Sequence, residues 1–343
     1  MRLLQVFLLC VLILVVTGCT AEELSTEPGS GARQQPASGA RSEEFILPAT
    51  AITRTPAPVT GIVESAPDLS PQSTRPAVVR AVEASRGQPG AQFDPEDWQE
   101  LPVLPELSPR ALEILEDGLA RGNNPRAFSK IGDCESQASW FLEPFDLGPE
   151  HYALGEYERE LAPVIAYYAG SHKRVSLAAK PGFSAASLLS PIWADREQCE
   201  DGETPLACEY RVNNPLVAFV MVGTNDASNP KTFEGHMRRV LDETIAQGIL
   251  PVLGTKADNV EGDHFINQTI ARLAHEYGLP VWNYWAAVQP LPARGLQEDG
   301  VHLTFAAPYF DRPGVFQRAW PVRNLNALQV LKILQQATEE AGG

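Results

Sequence analysis

The chain is poor in positive charge. Its 27 lysines and arginines stand against 43 aspartates and glutamates, a net charge of −16 over 343 residues. An acidic surface repels phosphate backbones, so no nucleic-acid partner is expected. Histidine is scarce, six in all, and no His/Cys/Asp cluster has metal-ligand spacing. A glycine-rich phosphate loop is missing, because the lysine after Gly254-Thr255 lacks the rest of that pattern. No apolar run after Val16 is long enough to cross a bilayer. These absences leave an expectation of no cofactor and no metal.

The one long apolar run comes first. Arg2 gives a short positive start, Leu3 to Val16 is almost unbroken, and Val16-Thr17-Gly18-Cys19 closes it with small residues. A secretory signal has this layout. The cysteine after a small pair resembles the bacterial lipobox. That implies a signal peptide of residues 1–18, acylation of Cys19, and an extracytoplasmic protein of the cell envelope held to the membrane through lipid on Cys19. An ordinary signal peptide or an N-terminal membrane anchor also fits this layout.

Cysteine usage follows from that reading. Of the five cysteines, Cys10 leaves with the signal and Cys19 is taken by lipid, which leaves Cys134, Cys199 and Cys208. Cys199 and Cys208 flank the polar stretch Glu200-Asp201-Gly202-Glu203-Thr204-Pro205 and are the natural disulfide pair in an oxidising compartment. Pairings through Cys134 stay open at this level.

Residues 19–99 are rich in Pro, Ser, Thr, Ala, Gly and Glu, with single scattered hydrophobes and no period. Such a stretch cannot bury enough apolar surface to offset its ordering entropy, and it is expected to be a disordered tether. Residues 100–343 are expected to fold. Ser108-Pro109 opens a helix that Gly122 ends. Strands are expected at Ala127–Ile131, Arg174–Ala179, Leu216–Val222, Ile249–Leu253 and Pro280–Tyr284. Helices are expected at Leu161–Ala169, Thr232–Gln247, His264–Tyr277 and Asn324–Ala341. Leu216–Val222 (LVAFVMV) suits a parallel strand covered on both faces. Strands alternating with amphipathic helices define an α/β fold, in which ligands gather at the carboxyl ends of the strands.

Four stretches fall there: Gly132-Asp133-Cys134-Glu135-Ser136, Lys180-Pro181-Gly182-Phe183-Ser184, Gly223-Thr224-Asn225-Asp226 and Glu298-Asp299-Gly300-Val301-His302-Leu303-Thr304. Singly, each reads equally as a turn or a helix cap. In this order they resemble the blocks of the SGNH (GDSL-type) hydrolase superfamily, over about Phe128 to Thr304, with Cys134 where that family has its nucleophilic serine. The resemblance implies a three-layer α/β/α sandwich with a flavodoxin-like parallel sheet, and hydrolysis of acyl esters.

Carried onto this chain, the resemblance makes Cys134 the nucleophile, His302 the general base and Asp299 the group that orients the imidazole. The oxyanion donors are the N–H of Cys134, the N–H of Gly182 and the amide of Asn225. Asp133, Gly223 and Asp226 support them. A nucleophile at a strand-to-helix junction also gains from the helix dipole. Ser136, two residues on, faces away and is no substitute. Three readings of Cys134 remain: a working thiol nucleophile acting on an ester or thioester, a relic site in a lipoprotein that binds a glycan or peptide, and an oxidised or disulfide-bonded switch. The expected partners are an acyl-ester substrate, small or glycan-borne, and the membrane. The stretch Ser184–Asn214, with its cysteines, is expected to shape the pocket.

Overall fold

The computed structural model describes residues 93–342, Ala138 excepted. The expected signal of residues 1–18, Cys19 and the tether up to residue 92 lie outside the described residues.

The fold starts before Leu101. Asp94 caps a 3-10 helix, Pro95–Glu100, by accepting from Glu96 N at 3.0 Å. Trp98 in this turn is buried edge-on against Trp285, with ring centroids 4.9 Å apart. The tether expected to reach Gln99 therefore ends earlier. A single aromatic anchor carries no period by which the sequence would reveal it.

Helix α1, Pro109–Arg121, opens and closes as its sequence dictates. Ser108 Oγ accepts from Ala111 N at 3.0 Å, and Gly122 takes the left-handed conformation at φ 86°. After it come β1 (Asn124–Gly132), α2 (Glu158–Tyr167), α3 (Ala185–Leu188), α4 (Pro205–Asn213), β2 (Pro215–Met221), α5 (Pro230–Ala246), β3 (Leu250–Gly254), α6 (Phe265–Tyr277), β4 (Val281–Trp282), α7 (Tyr284–Val288) and α8 (Ala319–Gly342). The four strands form one parallel sheet in the order β1-β2-β3-β4. Ile131 lies beside Val220, Val220 beside Leu253, and Leu253 beside Val281. Every residue of β2 and β3 is buried, which requires cover on both faces of the sheet. The chain is α/β.

One expected strand is absent as a strand. Arg174–Ala179 touches the outer edge of β1 by a single parallel bridge, Ala179 to Gly132. Its ladder donors go to side chains: Leu177 N bonds Glu209 Oε2 at 2.8 Å, and Ala178 N bonds Ser176 Oγ at 3.0 Å. The fully buried Glu209 also accepts from Ser129 Oγ and Arg174 Nη1, each at 2.6 Å. A carboxylate thus occupies the place of the next strand's backbone, and the segment stays irregular. The last helix begins at Ala319, ahead of the expected Asn324, because Pro321 sits in its first turn, where no N–H is needed. The expected strand Pro280–Tyr284 shrinks to two residues because Asn283 turns to cap α7.

Cys199 and Cys208 are joined, with Cα atoms 5.3 Å apart. Among the described residues Cys134 forms no disulfide. The bridge ties α4 to the loop before it across 9 residues. Replacing both cysteines by serine is expected to lower stability by about 2.5 kcal/mol on the chain-entropy account. Urea unfolding would show this as a lower midpoint at unchanged slope.

Candidate active site

The site is built outward from the end of β1. Gly132 N bonds Ala178 O at 3.0 Å, and Lys180 N bonds Gly132 O at 3.3 Å. On its other side Gly132 lies against Met221, and a Cβ there would overlap both Ser136 Oγ and Met221 O. Only glycine lets the chain turn this tightly. Asp133 then caps a single 3-10 turn, Cys134–Ser136, accepting from Glu135 N at 3.1 Å. One turn is all there is. The helix expected after Cys134, with its dipole, is not formed, because Gln137 leaves the turn in an extended conformation. Ser136 points inward, fully buried, with Oγ 3.5 Å from Met221 O. Cys134 is half-buried.

The second stretch is a turn. Pro181 and Gly182 occupy its middle, Phe183 N bonds Lys180 O at 3.1 Å, and Gly182 has φ 78°. No atom lies within 4 Å of where its Cβ would be, so glycine is required here by conformation and not by space.

The third stretch follows β2. Gly223 has φ 144° and packs against Ile266, leaving no room for a side chain. Thr224 Oγ1 donates to Asp258 Oδ2 at 2.7 Å. Asn225 Nδ2 donates to Phe183 O at 2.9 Å. The amide expected to serve an oxyanion is therefore aimed by the Gly182 turn, and one of its two N–H groups is already used. Asp226 is buried and accepts from Ala185 N at 3.1 and 3.2 Å, which caps α3. Burial pushes its carboxyl up to about 6.

The fourth stretch is a tight loop closed by an antiparallel bridge between Leu296 and Leu303, with Gln297 N bonded to His302 O at 2.8 Å. At its tip Asp299 Oδ1 accepts from Val301 N at 2.9 Å and His302 N at 3.0 Å, while Asp299 Oδ2 meets His302 Nδ1 at 2.6 Å. The hydrogen bonds of the His302 side chain and of these amides hold the Asp299 carboxyl down at about 2. In a neutral imidazole this carboxylate places the ring proton on Nδ1. Both side chains are open to solvent, 37% and 46% exposed for His302 and Asp299.

Two residues absent from the sequence-level site join these stretches. Glu135 Oε1 accepts from Leu303 N at 3.1 Å, and its Oε2 pairs with Arg323 Nη1 at 3.1 Å. Neighbours of Cys134 and His302 are thus hydrogen-bonded to each other. A charged residue in a loop reads as solvated, and Arg323 falls just ahead of the expected helix Asn324–Ala341, so only the packing of α8 exposes the pair. Burial pushes Asp133 up to about 6 and Glu135 up to about 8, against the pull of Arg323. The rim is apolar. Trp140 and Phe305, both exposed, follow Cys134 and His302 in their loops, and a third exposed ring, Trp193, lies beyond α3 with its centroid 6.3 Å from that of Phe183 beside Gly182. Trp140 and Phe305 meet edge to face at 5.0 Å.

A cavity of about 510 Å³ lies elsewhere, beside the start of β4, lined by Phe93, Leu101, Leu107 and Leu279 among others. It holds none of these groups. Family models, curated proteins and solved structures give no match to the chain. The family resemblance therefore rests on the residues alone.

The raised carboxyl of Asp226 has a stability consequence. Between about pH 4 and 6 the unfolded chain releases a proton that the folded chain keeps, so this group's contribution declines as pH rises and levels off above 6. Asp226→Asn keeps an acceptor for Ala185 N and removes that slope. Relative to wild type, the variant is expected to gain roughly 1–3 kcal/mol between pH 3.5 and pH 7. Urea midpoints across that range would measure it, and parallel curves for the two proteins would refute it.

Proposed function

We propose that this protein is an acyl-ester hydrolase with a Cys134-His302-Asp299 triad on an SGNH-type three-layer sandwich, tethered to the outside of a membrane through lipid on Cys19. The observation that carries this reading is the His302–Asp299 pair at 2.6 Å, on a loop bonded through Glu135 to the turn that bears Cys134. The bridge of Ala179 to β1 supports the flavodoxin-like strand order, since it puts that segment where a second strand would lie.

The chemistry runs in two halves. His302 Nε2 takes the Cys134 proton, and the thiolate attacks the acyl carbonyl carbon. The oxyanion draws on the N–H groups of Cys134 and Gly182 and on the second amide hydrogen of Asn225. Collapse breaks the C–O bond, and the alcohol leaves with the proton held by His302. Water, deprotonated by the same nitrogen, then splits the thioester, releases the acid and restores the thiol. No metal or cofactor takes part. The aromatic rim favours esters with an apolar or ring-bearing acid or alcohol over small polar ones.

Cysteine in place of serine favours a second reading, a lipoprotein domain that binds an acylated glycan or peptide without cleaving it. One assay separates them. With aryl esters and thioesters, Cys134→Ala and His302→Ala are each expected to lower kcat/KM by about 1,000-fold or more. If wild type matches buffer while a glycan or peptide still binds, the second reading holds. The rim gives a further expectation. Trp140→Ala and Phe305→Ala should raise KM for naphthyl esters by roughly 10-fold, with kcat nearly kept, as loss of uniform binding requires. An unchanged KM would remove the rim from substrate recognition.

A further inference from the structure

We infer that Glu135 is a positioning residue: its carboxylate bridges the backbone N–H of Leu303 and the buried guanidinium of Arg323, and so sets the His302 loop against the Cys134 turn. The inference rests on the proposed roles of Cys134 and His302.

The geometry is specific. Glu135 gives its own N–H to Asp133 Oδ1, which fixes the backbone from which its side chain springs. Both carboxylate oxygens are engaged, one by the residue after His302 and one by α8. Glu135 is thus held as a strut and is not offered to a substrate. The ring pair Trp140–Phe305 also joins the two loops, but it is solvent-exposed and undirected.

Arg323 explains why the strut needs a charge. Its residue is 5% exposed, and its guanidinium carbon lies 5.1 Å from the Phe141 ring, 5.2 Å from Tyr284, 5.5 Å from Trp320 and 5.9 Å from Trp282. Nη2 reaches Met221 Sδ at 3.1 Å, while Nε is buried with no partner among the described residues. A cation buried among rings is expensive unless paired, and apolar side chains of equal volume would hold the helix as well or better. What such side chains could not do is fix a carboxylate at one point beside Cys134. Arg323 also pulls against the burial that raises the Glu135 carboxyl, and so favours its charged form. The other ionisable groups facing Glu135 are Asp133, Asp258 and Tyr284.

The test uses the full chain and two readouts. The first is steady-state kinetics on a naphthyl ester. The second is the pH profile of Cys134 alkylation by iodoacetamide, read on the Cys134 peptide by mass spectrometry. Glu135→Gln is expected to lower kcat by roughly 10–100-fold with KM within about 2-fold. It should also move the alkylation inflection up toward that of an ordinary thiol, since the imidazole no longer sits in register. Glu135→Asp keeps a charge beside Arg323 but shortens the reach to Leu303. It is expected to show the same kcat loss and answers the question if Glu135→Gln does not fold. Wild-type activity with both variants at full kcat and an unmoved inflection would overturn the positioning role and leave the hydrolase reading intact. An inactive wild type whose inflection still moves in the variants would sustain the positioning role and overturn the hydrolase.

Discussion

There is no room for a side chain at position 132. A Cβ there would run into Met221 O on one side and Ser136 Oγ on the other, so β1 has to end in glycine pressed against β2. The rest of the site is referenced to that contact. On the outer edge, Gly132 exchanges hydrogen bonds with Ala178 and Lys180, which delivers the Gly182 turn. On the inner edge, Met221 leads within a few residues to Asn225, whose amide reaches back to Phe183 O in that same turn. Parallel strands force all of these ends to one side of the sheet. The tight packing at Gly132 converts that general rule into a particular register of loops.

The price of that convergence is a crowd of carboxyls. Asp133, Glu135, Asp226 and Asp258 meet at or near the strand ends, all of them at least partly buried. The protein balances them with two cations that are themselves buried. Lys256 Nζ pairs with Asp258 and Glu261, each at 2.6 Å, and Arg323 pairs with Glu135. Asp258 in turn holds Thr224, beside Asn225. The raised carboxyls of Asp133, Glu135 and Asp226 record what the balance leaves over. A site meant only to pack would shed these charges, because removing a buried pair altogether is often neutral or stabilising. Here each charge fixes a backbone N–H or a hydroxyl of a loop, which an apolar side chain cannot do.

Much of the fold was legible because it is written in short-range patterns. The unbroken run of β2, the Ser-Pro cap and glycine stop of α1, and the Gly-terminated α6 are local signals, and the structure places them within a few residues of their expected bounds. Arg174–Ala179 has the composition of a strand yet is not one, since its partner is the Glu209 carboxylate, 30 or more residues away in sequence. The loop at Asp299-His302 was legible for the same reason as α1: three residues suffice for a carboxylate to reach its own imidazole. Glu135 and Arg323 were not, because their pairing spans 188 positions and depends on how α8 seats against the sheet. The aromatic rim was hidden likewise. No local pattern marks Trp140, Trp193 or Phe305 as exposed, and only the fold turns them outward.

An open dyad also bears on why the residue at 134 can be a cysteine. A serine hydroxyl lies so far above neutrality that it needs a base held rigidly and shielded from water. His302 and Asp299 are substantially solvent-exposed, and water competes there for every hydrogen bond the dyad makes. A thiol ionises within about two units of neutrality even without help, so it asks less of its base. The single 3-10 turn after Cys134 supplies no long helix to steady an anion, which again favours the atom that carries negative charge more easily. Asn225 has one N–H committed to Phe183, so in the proposed mechanism it brings a single donor to the oxyanion. Under the proposed mechanism, an exposed base and a short turn leave the site poorly equipped to activate a hydroxyl. The same proposed mechanism asks less of a sulfur, and on that reading a cysteine suits the surroundings of position 134.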